Sequence, residues 1–105
     1  MATDKGYVGY VMDMLGHFDG VSTRAMMGEY VLYFRDKVIG GIYNNRVLLK
    51  RVPAIDRMIP KVKLEIPYNG AKEMVLLEDI ENRTFTKELF ESMYDELPIN
   101  KKRKK

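Results

Sequence analysis

The stretch RAMMGEYVLYFRDKVIGGIYNNRVLLK, residues 24–50, holds the residues best suited to recognise a ligand. Tyr33 and Tyr43 are expected to share an exposed sheet face, with Arg35, Arg46 and Lys50 close by in sequence. Tyrosine rings stack on bases, and neighbouring cations hold phosphates, so this set is worth testing as a stacking platform. The other tyrosines (7, 10, 30, 68 and 94) are scattered, and amphipathic tyrosines commonly line cores and interfaces. Gly40-Gly41 removes two side chains from a strand, which weakens it unless the space is needed. A close helix contact or a bulge is the favoured reason, and a ligand or partner backbone over the bare patch is the functional alternative. The pair does not form GxGxxG, and no P-loop occurs.

Catalysis has fewer candidates. His17 is the only histidine and follows Gly16 at an expected helix end, where a cation meets the last carbonyls. No cysteine is present, which excludes disulfides, thiolate nucleophiles and cysteine-ligated zinc, and the carboxylate spacings resemble no metal-ligand set. Ser22 and Ser92 lie outside any nucleophile-elbow motif. Glu78-Asp79 and Glu91/Asp95/Glu96 have the pattern of solvated faces. Without a nucleophile, base and oxyanion donor in evident relation, the chain is expected not to be an enzyme, with no metal and no cofactor.

The basic character is local. Formal net charge is +3, but Lys101, Lys102, Arg103, Lys104 and Lys105 alone supply five positive charges, leaving a slightly acidic body. Such a run can bind phosphate backbones without reading sequence. A solubilising, flexible terminus is the plainer account.

These residues need elements to position them. Thr3 can cap a helix with Asp4 in its first turn, and Tyr7, Val8, Val11, Met14, Leu15 and Phe18 follow helical spacing. From Met26 the period becomes two. Met26, Tyr30, Leu32 and Phe34 are expected on a core face, and Met27, Glu29, Val31, Tyr33 and Arg35 on the other. After the turn at 35–37, strands at 38–43 and 46–51 flank Asn44-Asn45, which suits a primed two-residue turn placing Ile42 opposite Val47 and Tyr43 opposite Arg46. The meander thus has three strands, with residues 21–27 lengthening the first. Pro53 ends the third, a short helix spans 54–59, and extended segments follow at 64–68 and 74–77 around the Asn69-Gly70 turn. Asn82 or Thr84 caps a last helix carrying Phe85, Leu89, Phe90, Met93, Tyr94 and Leu97. The fold class is α+β: a two-layer arrangement, helices on one face of an antiparallel sheet, in the order α-β(3)-α-β(2)-α. If its outer face is bare, Met27, Val31, Tyr33 and Tyr43 form an apolar partner face or a homodimer contact.

At 105 residues, one domain over 1–100 with a basic tail at 101–105 is expected. The start MATDKGYVGY has no apolar signal core, and no run approaches the length of a membrane span, so a cytoplasmic protein with no membrane contact is expected.

Arg24, Met26-Met27-Gly28, Tyr33, the Gly-Gly-Ile-Tyr of 40–43 and Leu48-Leu49-Lys50 resemble the N-terminal domain of the TfoX/Sxy family, bacterial regulators of competence genes. The resemblance implies the same α-β(3)-α-β(2)-α order and a non-enzymatic role in transcription regulation, with no cofactor and no catalytic residues. Full-length members carry a second, helical domain, and in its place here stands the lysine tail. A stand-alone regulatory or adaptor module acting through protein partners is therefore expected, with weak nucleic-acid binding through the tail as the alternative.

Overall fold

The computed structural model describes residues 3–16 and 20–98. His17, Phe18, and Lys101 to Lys105 lie outside the described residues, and with them the expected helix-end histidine and the basic tail.

Helix α1 (Lys5–Leu15) is capped by Asp4, whose carboxylate accepts from the Gly6 N–H at 2.8 Å. The expected cap at Thr3 thus moves one residue on. Thr3 is instead buried: its hydroxyl donates to Glu29 Oε1 at 2.5 Å, and its N–H donates to the Gly28 carbonyl. A hydroxyl that holds a neighbouring strand is unavailable to a helix end.

The meander has four strands: β1 (Val21–Met26), β2 (Glu29–Phe34), β3 (Lys37–Tyr43) and β4 (Arg46–Leu49). Residues 21–26 form a strand of their own rather than lengthening the next. Met27 and Gly28 both take positive φ, 53° and 87°, and reverse the chain in two residues. The reversal pairs Met26 with Glu29, which moves Met26 from the expected core face to the outer one and takes Met27 out of the sheet. Asn44 and Asn45, with φ of 51° and 60°, turn as expected and place Ile42 opposite Val47 and Tyr43 opposite Arg46.

Helix α2 (Pro53–Met58) begins on proline, whose fixed φ suits the first helical position. The short strands β5 (Leu64–Glu65) and β6 (Met74–Leu76) follow, then α3 (Arg83–Tyr94), where Asn82 accepts from the Phe85 N–H. All pairings are antiparallel, in the order β1-β2-β3-β4-β6-β5.

The inner sheet face carries Leu32, Phe34, Ile42, Val47, Leu49 and Val75, packed against Val11 and Leu15 of α1, Ile55 of α2, and Leu89, Phe90 and Met93 of α3. The molecule is an α+β fold with the helices on this face. One irregularity decides how β3 uses its residues. Leu32 pairs with Gly40 but Tyr33 with Val38, so Ile39 is an extra residue. That bulge turns both Ile39 and Ile42 inward, although strict alternation would separate them.

A candidate binding trough on the outer sheet face

The alternation that buries Leu32 and Phe34 sends Val31 and Tyr33 outward, and after the bulge the same holds for Val38, Gly41 and Tyr43. No helix covers this side among the described residues. Segment 66–73, between β5 and β6, folds over part of it: Pro67 is buried, and the Tyr68 ring lies 6.0 Å from that of Tyr43, tilted by 58°. Leu48 belongs to the outer face by register, yet is fully buried beneath this side of the sheet.

The result is an open trough of about 1040 Å³. Val31, Tyr33, Val38 and Tyr43 are in its floor, Tyr68 and Ala71 in one wall, and Lys50, Arg51 and Lys72 supply cations. Pro98, where the described chain stops, lines it as well.

Three of the four residues expected to form a partner face come together here. The fourth, Met27, does not: it is 97% exposed at the tip of the β1–β2 turn, because a residue with left-handed backbone conformation in a two-residue reversal projects away from the sheet. Met26 takes its place as the trough's methionine.

The expected cations divide. Lys50 lines the trough. Arg46 is engaged by Glu65 and by the Tyr43 carbonyl. Arg35 is turned elsewhere, 4.5 Å over the Phe34 ring and 3.7 Å from Glu91. Arg51, Lys72 and Tyr68 were not anticipated. The strand expected over 46–51 stops at Leu49, so alternation does not carry to Arg51, and the other two sit on an irregular segment with no periodicity to report where their side chains go.

The Gly40-Gly41 pair has a purely steric explanation. A Cβ on Gly40 would lie 2.1 Å from the Leu48 carbonyl oxygen and 2.8 Å from Leu49 Cα. One on Gly41 would meet the Tyr43 ring at 2.4 Å and the Tyr30 carbonyl oxygen at 2.8 Å. The bare patch on Gly41 is therefore covered by Tyr43 itself. Partial burial, with smaller contributions from Tyr68 and Glu29, holds the Tyr43 phenol above its ordinary pKa, so the ring remains neutral through the physiological range.

Three of the five acidic groups that invited a catalytic reading are occupied. Glu91 faces Arg35, Glu78 pairs with Lys63 at 3.0 Å, and Glu96 both accepts from the Ala54 N–H and pairs with Arg57. Among the described residues no group of three or more His, Asp or Glu side chains is placed to hold a metal ion. No helix there is long and apolar enough to cross a membrane.

No family model matches the chain, and no solved structure matches it. It is similar to a protein of Spirochaeta aurantia described as an uncharacterized 12.7 kDa protein in the trpE 5′ region. The two are 38% identical over 80 residues, which span 76% of this chain and 70% of that one.

Proposed function

We propose a binding role for this chain, which belongs to one family with the 12.7 kDa protein of Spirochaeta aurantia: a non-enzymatic regulatory module that holds its partner in the outer-face trough. The observation that carries this is the grouping of the half-buried Val31, Tyr33 and Tyr43 along one continuous depression, on the sheet face that no described helix covers. Apolar and aromatic surface gathered in one recess favours association, because removing it from water is worth about 25 cal/mol per Å². The resemblance to regulators of competence genes supports a regulatory setting, and the cytoplasm is the compartment where such a module acts.

The test is affinity capture from native cell extract on the full chain and on Val31→Glu, with bound protein and nucleic acid both identified. A charge in the floor leaves the helix side of the sheet untouched. The expected result is a partner held by the parent chain and lost from a variant of similar melting temperature. Identical bound material on both chains overturns the proposal. Strand β1 leaves one sheet edge without a neighbour among the described residues, which favours a second copy as a further occupant. Light scattering at rising concentration reads this directly, and a monomer throughout removes the homodimer.

A further inference from the structure

The trough carries a sign of charge that the body around it does not, and we propose that its partner is an acidic peptide: a short extended segment whose apolar side chains lie in the recess while its carboxylates meet Lys50 and Lys72. This rests on the trough being the partner surface. It goes further by naming the chemistry of the partner.

The apolar part comes first. The trough, at about 1040 Å³, stands at the top of the range of about 300–1,000 Å³ that encloses a whole small ligand, and it is open to solvent. That shape suits a few side chains of a longer segment better than a small molecule closed in on all sides. Met26, Val31, Val38, Ala71 and Met74 line it with aliphatic surface beside the tyrosines. Tyr68 is 62% exposed, so its ring still has apolar area for a partner to cover.

Charge comes second. Of the 18 basic side chains in the sequence, five stand at 101–105, leaving 13 in residues 1–100 against 15 acidic ones. Lys50, Arg51 and Lys72 line the trough against the one carboxylate of Glu73. The rest of residues 1–100 therefore holds ten basic and 14 acidic side chains, and the trough is a basic recess in an acidic body. Arg51 is drawn 3.0 Å from Asp56, but Lys50 and Lys72 have no ion-pair partner among the described residues. Each of these two can take a carboxylate without breaking an existing pair.

The same distribution favours a peptide over nucleic acid. A strand with one phosphate per nucleotide runs on past the recess and meets the acidic body, which repels it. A peptide can bring its carboxylates only where the cations stand and put valine-, leucine- or phenylalanine-like side chains on the aliphatic lining.

The experiment is selection from a library of random heptapeptides displayed on phage, with the full-length chain as bait. A second bait is the full-length chain with its five terminal cations replaced by glutamine, so that charge outside the trough does not choose the peptides. Both baits are expected to enrich peptides that join Asp or Glu to an aliphatic or aromatic residue. The most enriched peptide is then synthesised with a fluorescent label, and anisotropy reads its affinity. Lys50→Gln/Lys72→Gln should weaken binding roughly 2- to 30-fold, the loss of two exposed ion pairs, and Lys50→Arg/Lys72→Arg should restore it. Rising salt should weaken the parent chain more than the glutamine variant. The proposal is overturned if the second bait enriches no acidic peptide, if the glutamine variant binds as tightly as the parent, or if a single-stranded oligonucleotide of about 12 nucleotides binds more tightly than the selected peptide. If neutral apolar peptides are enriched instead and are lost on Val31→Glu, the trough remains the partner surface and only the acidic assignment falls.

Discussion

Single residues show how little room the sheet has. Gly40 is opposite Leu49 and beside the bulge, and its missing Cβ points at backbone that cannot swing aside. Gly40→Ala should destabilise the fold by about 3 kcal/mol, at the upper end of the overpacking range, read as a lower urea midpoint. Gly9 is the contrast: it sits within α1, and nothing lies within 4 Å of its missing Cβ. Gly9→Ala should raise stability by about 0.5–1 kcal/mol, through helix propensity alone. A Gly40→Ala chain as stable as the parent would contradict the close approach between β3 and β4.

Among the elements, the two tight turns differ in how well their residues suit them. Asn44 and Asn45 tolerate positive φ, and Asn45 also accepts from the Asp4 N–H at 2.9 Å, so this turn helps to seat α1. Met27 adopts φ of 53° with neither advantage, since its side chain is almost wholly in solvent. Met27→Asn relieves a strain of about 1 kcal/mol and should raise the melting temperature by several degrees, with no loss of binding, because Met27 stands outside the trough. A lower melting temperature would mean that the tip makes a contact the fold requires. The strand period at 29–34 was legible because one sheet face is buried. The Met27-Gly28 reversal was not, because a methionine gives no sign that its backbone must be left-handed.

For the whole molecule, the helices and the sheet stand or fall together. Phe90 of α3 packs edge-on against Phe34 of β2, with ring centroids 5.6 Å apart, and Lys37 donates to the Tyr94 carbonyl at 2.9 Å. Phe90→Ala should cost about 3–5 kcal/mol, much of the stability available to a domain this size, and bring unfolding near room temperature in modest denaturant. Alkaline pH acts through burial. The Tyr7 and Tyr43 phenols are raised above 10.0 by desolvation, so each favours the folded state at pH values below its unfolded value. That contribution is lost as pH rises through the higher folded values. Melting temperature should therefore fall as pH climbs past about 10, and less steeply in Tyr43→Phe. A slope unchanged by that substitution would show that Tyr43 ionises as freely folded as unfolded.

Much of this protein was determined by local chemistry. The helical stripe of 85–94, the alternation of 29–34, the Asn44-Asn45 turn and the α+β layering follow from side-chain period and backbone preference, which neighbours in sequence specify; Leu97, expected on that helix, lies beyond its end at Tyr94. The site was legible only in part: Tyr33 and Tyr43 are both expected on an exposed sheet face with Lys50 close by in sequence, but it is the bulge at Ile39 that brings Tyr43 onto the face of Tyr33. The inward turn of Ile39, the fold of segment 66–73 that brings Tyr68 to Tyr43, and the arrival of Pro98 at the trough were decided by the tertiary structure. Each depends on contacts between segments far apart in the chain, where shape and excluded volume, rather than periodicity, choose the partner.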